Sequence, residues 1–158
     1  LYTQLGNTGM LFIALGVLML LFKPTRRAGL SALCAMLIGF IVVNLTIKPL
    51  VSRPRPWLAI ESFVNLVPEH DPNSFPSGHT NAAFAFALAV CMSAPKKWMK
   101  AAAVAMAAVM GLARLYVGVH FPSDVLAGAA IGSLCGLAGA WVVRKGWERI
   151  QARPQAPK

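Results

Sequence analysis

The sequence predicts an all-α fold, a polytopic transmembrane helical bundle of about five spans. Of the 158 residues, 57% are hydrophobic and only 13% are charged, and the mean hydropathy is +0.62. A soluble domain of this size needs a more polar surface. The apolar residues also fall in long uncharged runs, which indicates that lipid is the solvent.

Five apolar runs have the length and composition of helices within a membrane. They cover residues 10–22, 28–47, 79–94, 101–119 and 125–143. Each is predicted to be helical, because a helix satisfies its own backbone hydrogen bonds where water is absent. The chain starts at Leu1 without a basic region before the first run, so no secretory signal peptide is indicated and upstream sequence is expected.

The basic residues predict the orientation in the cell membrane. The formal net charge is +10, from 15 Lys and Arg against 5 Asp and Glu. Eleven of the cations form three clusters between or after apolar runs, and the positive-inside rule places these on the cytoplasmic side. The clusters are Lys23, Arg26 and Arg27; Lys96, Lys97 and Lys100; and Arg144, Lys145, Arg149, Arg153 and Lys158. Topology therefore explains the charge, and no nucleic-acid partner is predicted.

Five spans in this orientation bring the proline-rich stretch 48–77 and the turn 119–124 to the non-cytoplasmic side. Four cations lie at that end, namely Lys48, Arg53, Arg55 and Arg114. Each could by itself be anchored to lipid headgroups or extend to the interface, and Arg53 is assigned only that role. An ionised residue beside a membrane span is otherwise a functional candidate.

The segment Pro76-Ser77-Gly78-His79 precedes the third apolar run. A turn followed by a helix N-cap would need only Ser77 and Gly78, so His79 requires a further explanation. A helix start also offers backbone N–H groups and the positive end of the helix dipole. Ser77, Gly78 and His79 are therefore candidate donors to a phosphoryl oxygen.

His120 and Asp124 are four residues apart, and on a helical turn they would share one face. The carboxylate would then accept a hydrogen bond from one imidazole nitrogen and leave the other as a nucleophile toward phosphorus. An interfacial His–Asp pair without catalytic function is the alternative. A phosphate site is favoured, because three separate segments bring one Lys, two Arg, two His and one Asp to the same membrane face.

The patterns Lys-x6-Arg-Pro, Pro-Ser-Gly-His and Arg-x5-His-x3-Asp, in this order between apolar spans, resemble those of the type 2 phosphatidic acid phosphatase family. The resemblance covers residues 48–124, about half of the chain. It implies phosphate binding by Lys48, Arg55, Ser77, Gly78 and Arg114, and catalysis by His120, His79 and Asp124.

The resemblance also implies a mechanism. His120 would be the nucleophile and Asp124 its orienting carboxylate, while His79 would act as general acid and then activate water against the phosphohistidine. Three cations compensate the charge of the transferring group, so neither a metal nor another cofactor is expected. Two features depart from the family pattern: Ala113 stands where a serine is usual, and five spans are counted instead of six.

The predicted domain organisation is a transmembrane phosphatase domain over residues 1–147, with its catalytic core in 48–124, followed by a polar, unstructured cytoplasmic tail over 148–158. Three glycines recur every four residues in the last span, at Gly128, Gly132 and Gly136. Small residues at this spacing predict close helix contact within lipid.

The expected partners are a lipid phosphate or diphosphate and the surrounding membrane lipids. Undecaprenyl diphosphate, hydrolysed to undecaprenyl phosphate in cell wall biogenesis, is the leading substrate hypothesis by analogy. Phosphatidylglycerophosphate and phosphatidic acid are the alternatives. The sequence does not indicate an oligomeric state.

Three other interpretations were considered. A catalytically inactive membrane adaptor or transporter subunit would have no reason to retain both histidines and Asp124. A vanadate-dependent haloperoxidase has a similar oxyanion site but is soluble. Zinc-dependent hydrolysis by two His and one Asp is a further alternative, although three nearby cations would repel the metal. The loop 57–75 is expected to be either an interfacial segment over the site or a solvated loop.

Overall fold

The computed structural model describes residues 9–63 and 65–152, and the regular elements in these ranges are helices. The longest of them form a bundle, which confirms the predicted fold class. The helices are α1 (Met10–Leu21), α2 (Arg26–Phe40), α3 (Lys48–Val51), α4 (Pro56–Ala59), α5 (Gly78–Ser93), α6 (Lys97–Tyr116) and α7 (Pro122–Gln151). Between α2 and α3, residues Ile41–Ile47 are wound as a π-helix.

The helices differ in their exposure to lipid. The continuous rod Arg26–Val51, with 26 residues, and the helices α6 and α7, with 20 and 30, are long and apolar enough to cross a membrane. Helices α1 and α5 are shorter, with 12 and 16 residues. Helix α5 contacts α2, α6 and α7, so it is the central helix of the bundle and presents less surface to lipid.

The second apolar run was predicted to end at residue 47, but the helical winding continues to Val51. Pro49 lies in the first turn of α3, directly after the π-helical turn. Ser52, with a φ of 47°, ends the rod in the left-handed region. Lys48 is therefore held on a helix at the end of a span, and not in a loop.

The bundle is closely packed because small residues line the helix contacts. A Cβ at Gly132 would lie 2.3 Å from the Asn81 carbonyl oxygen, and one at Gly136 would lie 2.8 Å from Leu88 Cβ. Both contacts join α7 to α5, and no larger side chain would fit without a shift. The predicted role of the glycine repeat in close helix approach is confirmed.

Hydrogen bonds join the two halves of the connection between α3 and α5, and one backbone hydrogen bond ties it to the end of α6. The Ser74 amide donates to the Arg53 carbonyl at 2.8 Å, and its hydroxyl donates to the Pro54 carbonyl at 3.1 Å. The Leu66 amide donates to the Val117 carbonyl at 3.0 Å. The segment thus crosses over the helix ends where the predicted site residues lie.

At the opposite end of the bundle, α2 and α6 begin and α7 ends, so the described members of the three basic clusters lie together there. Helix α7 continues past Glu148 to Gln151, and Glu148 pairs with Arg144 at 3.8 Å and Lys145 at 3.6 Å. The first residues of the predicted tail are therefore helical. Its last residues, 153–158, lie outside the described residues.

Candidate active site

Three segments bring the predicted site residues together at one end of the bundle. Lys48, Arg55, Ser77, Arg114, His120 and Asp124 are all buried. Arg55 and Arg114 are only 2% exposed. Burying a guanidinium is costly unless an anion or a set of acceptors compensates it. The arrangement is therefore built to hold negative charge.

Arg55 connects the first motif to the histidine of the third. Its Nη1 donates to the Val119 carbonyl at 3.0 Å and lies 3.5 Å from His120 Nε2, and its Nε donates to the Asp71 carbonyl at 2.6 Å. Burial lowers the pKa of Arg55, while the carboxylates of Glu69 and Asp71 act in the opposite direction. An oxyanion bound to this guanidinium would lie beside the imidazole.

His120 Nδ1 lies 3.6 Å from Asp124 Oδ2, somewhat long for a hydrogen bond. Burial lowers the pKa of His120, and the interaction with Asp124 only partly opposes this, so the imidazole is held neutral. The predicted shared helical face was wrong, because α7 begins at Pro122. Instead, Asp124 Oδ2 caps the helix by accepting the Phe121 amide at 2.8 Å, and this cap turns the carboxylate toward His120.

The start of α5 forms the second part of the site. Ser77 is the N-cap, and its hydroxyl oxygen accepts a hydrogen bond from the Thr80 hydroxyl at 3.0 Å. The Ser77 amide donates to the Asp124 carbonyl at 3.0 Å. Because this amide already has an acceptor, a hydrogen bond from Ser77 to phosphate would have to come from its hydroxyl. A Cβ at Gly78 would lie 2.9 Å from Asn44 Oδ1, so a side chain there would collide with α2's extension.

A cavity of about 640 Å³ opens at this site. One end is polar and is lined by Lys48, Arg55, Gly78 and His79, together with the loop residues Glu69, His70 and Asp71. The other end is apolar and lies between α1 and α2. Its lining includes Ile13, Leu33, Leu37 and Phe40. A polar headgroup and an apolar chain could therefore occupy one continuous space.

Arg114 lies on the last turn of α6 and is buried beneath the site. It is not among the described residues that line the cavity, and neither is His120. His120 instead lies beside Arg55, whose Nη1 is 3.5 Å from its Nε2.

Two acidic residues that the sequence analysis did not place in the site contact its cations. Asp71 accepts a hydrogen bond from Lys48, and Glu69 and Asp71 each lie 3.6 Å from Arg55 Nη2. Burial would raise the pKa of Asp71, but the hydrogen bond from Lys48 and its positive charge hold that pKa below its ordinary value. The sequence contained a signal for this contact. The whole chain has only five acidic residues, and these two fall in the loop between the first two motifs.

Arg53 was assigned to lipid headgroups, and the structure places it elsewhere. Its Nη1 donates to Asp124 Oδ1 at 2.7 Å and to Ser123 Oγ at 2.7 Å. Residues two apart share one face of a regular extended segment, so strand alternation does not explain why Arg53 and Arg55 have different partners. The spacing alone did not show that both reach the site.

The chain is a membrane helical bundle with buried arginine, histidine and aspartate side chains gathered at one end. Residues 28–148 match the PAP2 superfamily, and the chain belongs to this family. The family resemblance noted in the sequence is thereby confirmed.

The known proteins similar to this chain include several that are named as phosphatases. An undecaprenyl-diphosphatase of Sulfolobus acidocaldarius is 32% identical over 122 residues, which are 77% of this chain and 58% of that protein. The crystal structure of Aquifex aeolicus LpxE has a TM-score of 0.69 and 30% identity, over 86% of this chain and 85% of that one. The transmembrane PAP2-type phosphatidylglycerolphosphate phosphatase of Bacillus subtilis has a TM-score of 0.67 and 29% identity, over 96% and 76%.

The chain spans 58% and 67% of the length of the first two curated relatives that it matches. The family match, from residue 28 to residue 148, covers all three motifs and the helices from α2 to α7 except for a few terminal residues, but not α1.

Proposed function

We propose that this chain is an integral-membrane lipid phosphatase that acts without a metal and through a phosphohistidine at His120. The observation that carries the proposal is the placement of this imidazole, with Nδ1 directed at Asp124 and Nε2 beside Arg55. A neutral imidazole held in this way is a competent nucleophile toward a phosphoryl group on Arg55.

The roles follow from the geometry and from the family motifs. Lys48, Arg55 and Arg114 would bind the phosphoryl oxygens, with Gly78 and the Ser77 hydroxyl as further donors. His120 Nε2 would form a bond to phosphorus as the bond to the lipid oxygen breaks.

His79, which lines the cavity, would give its proton to that leaving oxygen. It would then take a proton from the water that breaks the N–P bond. Phosphate and the dephosphorylated lipid are the products.

The shape of the cavity supports a lipid substrate. Its apolar end is lined by side chains that are themselves exposed on the bundle surface, including Ile13, Leu37 and Phe40, which are 43%, 61% and 48% exposed. A lipid chain could thus enter from the bilayer while its phosphate reaches Arg55. A soluble phosphate ester would gain nothing from this opening.

The proposed substrate is undecaprenyl diphosphate, hydrolysed to undecaprenyl phosphate. The similarity to an undecaprenyl-diphosphatase supports it, and the similarity to a phosphatidylglycerolphosphate phosphatase supports phosphatidylglycerophosphate as the second candidate. Comparing kcat/KM for these two lipids and phosphatidic acid in the same detergent decides among them. The lipid with the highest value is the assigned substrate.

The proposed location is the cell membrane, with the site extracytoplasmic and the basic end cytoplasmic, and with the domain over 1–147 as the catalytic unit. The positive-inside rule supports this orientation, because the described basic clusters share the end opposite the site. Labelling of Glu61→Cys but not Lys97→Cys by a membrane-impermeant thiol reagent on intact cells is expected. The reverse pattern would invert the topology.

A metal-free route is proposed because three cations at the site would repel a metal ion. Within the part of the chain that the structure describes, His, Cys, Asp and Glu side chains do not gather in groups of three.

Trapping tests the covalent step: a phosphate-labelled lipid should label the protein with an acid-labile, base-stable phosphoryl group. Labelling that persists in His120→Asn would assign another nucleophile, and a folded protein that releases no phosphate would favour an inactive adaptor.

A further inference from the structure

Arg53 is a charged residue at the site for which the proposed mechanism has no role. It lies between the two cations of the first motif but does not line the cavity, whose described lysine and arginine side chains are Lys48 and Arg55. Its guanidinium instead reaches the far side of Asp124, at 2.7 Å from Oδ1. Arg53 therefore faces the carboxylate and not the position of the substrate.

The two oxygens of Asp124 have separate partners. Oδ1 accepts from Arg53, whereas Oδ2 accepts the Phe121 amide and lies 3.6 Å from His120 Nδ1. The carboxyl group is fully buried, with an exposed fraction of 0%. Each oxygen needs a donor in such a place, because an unsatisfied buried charge is costly.

Arg53 is itself held in position from two further directions. Its Nη1 also lies 2.7 Å from Ser123 Oγ, and its guanidinium carbon lies 4.1 Å from the centre of the Phe121 ring. A planar guanidinium that stacks on an aromatic ring and donates to a carboxylate is a rigid contact. The orientation of the Asp124 carboxyl group thus depends on a fixed partner.

We infer that Arg53 is a positioning residue that holds Oδ1 of Asp124 so that Oδ2 stays directed at His120. This inference rests on the proposed function of His120 as the nucleophile. Without Arg53, the carboxyl group can rotate, and its two oxygens compete for the Phe121 amide and the imidazole. The nucleophile then loses its fixed orientation while the phosphate-binding cations are unchanged.

The test is a double-mutant cycle with the full chain in detergent, using the lipid that the wild type hydrolyses fastest. Arg53→Gln should lower kcat about 10- to 100-fold, the size expected for one lost charge-assisted hydrogen bond, with KM nearly unchanged. Asp124→Asn should lower kcat more. The double variant should be no worse than Asp124→Asn alone, because Arg53 acts through that carboxylate.

Two control variants separate positioning from general structure. Ser123→Ala removes a second partner of Arg53 but leaves the carboxylate contact, so its kcat should stay close to wild type. Arg53→Lys keeps a positive donor and should recover part of the activity that Arg53→Gln loses. Arg53→Lys also tests the inference if Arg53→Gln fails to fold. The thermal unfolding midpoint of Arg53→Gln in detergent shows whether that variant is folded.

Several outcomes would overturn the inference. A rise in KM with unchanged kcat would make Arg53 a substrate contact, and additive losses in the double variant would separate it from Asp124. If the wild type is active and the folded Arg53→Gln variant keeps full kcat, this inference is refuted while the proposed function stands. A folded wild type without phosphatase activity would instead refute the proposed function.

Discussion

At the scale of single residues, the site holds three buried cations and the buried imidazole of His120, while His79 lines the cavity. Burial has opposite consequences for the two kinds of group. It makes the guanidinium of Arg55 dependent on carboxylates or on a bound oxyanion, whereas it keeps the imidazole of His120 neutral and therefore nucleophilic. The same exclusion of water strengthens each contact to a transferring phosphoryl group.

The protonation of His120 can be measured directly. Burial lowers the pKa of His120. An ordinary histidine is half protonated at about pH 6.5, whereas the His120 imidazole should still be mostly neutral at that pH and should become protonated only at a lower pH. Loss of the nucleophile should follow the same lowered pKa. NMR titration of isotope-labelled histidine in detergent measures this, and His120→Asn assigns the signal among the three histidines. A titration midpoint above 6.5 would contradict the account.

The motif residues could be predicted from the sequence, because each combines an unusual residue type with a fixed spacing. His79 was surplus to a helix cap, and His120 with Asp124 had a spacing that suggested contact. The contact between His120 and Asp124 was predicted, but its cause was not, since helix capping produces it. Arg53, the second partner of the Asp124 carboxylate, could not be predicted. Its contact depends on how an irregular segment is placed against α7.

At the scale of elements, the loop between α4 and α5 carries carboxylates onto the cations of the first motif. Asp71 contacts Lys48, and both Asp71 and Glu69 lie near Arg55. If Lys48 and Arg55 bind phosphate as proposed, a substrate phosphate would displace these carboxylates, and the loop would compete with the substrate. The position of the loop could not be predicted, because it has no regular hydrophobic period.

Replacing the competing carboxylate should tighten phosphate binding. Asp71→Asn removes the charge that neutralises Lys48, so the KM for the lipid and the inhibition constant for inorganic phosphate should both fall, by about two- to tenfold. Glu61→Gln is the matched control, because Glu61 is an exposed acidic residue of the same loop. If Asp71→Asn raised both constants, the carboxylate would be supporting the cations and not competing for them.

At the scale of the whole molecule, a bundle of small-residue contacts fixes the three motifs relative to one another. Helix α5 is central, and α7 packs so closely against it that the Ser77 amide reaches the Asp124 carbonyl. The apolar runs predicted these helices and their order. They did not predict the π-helical turn or the extension of the second span to Val51. A run of apolar residues does not show where the helical hydrogen-bond pattern changes.

A single methyl group tests this close contact. Gly132→Ala should destabilise the bundle by about 1–3 kcal/mol, since the new Cβ would overlap the Asn81 carbonyl oxygen. Gly146→Ala, on the same helix, is the control, because a Cβ at Gly146 would meet no described atom within 4 Å, and this change should be neutral or slightly stabilising. Thermal unfolding in one detergent compares them. Equal midpoints for the two variants would show that α5 and α7 are not in close contact.

The central claim, a metal-independent phosphatase that uses His120, is tested most directly by phosphate release in excess chelator. Wild type and His120→Ala are assayed in detergent with undecaprenyl diphosphate and phosphatidic acid. The account predicts release that the chelator does not reduce and that falls to background in His120→Ala. Loss of wild-type activity on chelation, or full activity in the variant, would contradict it.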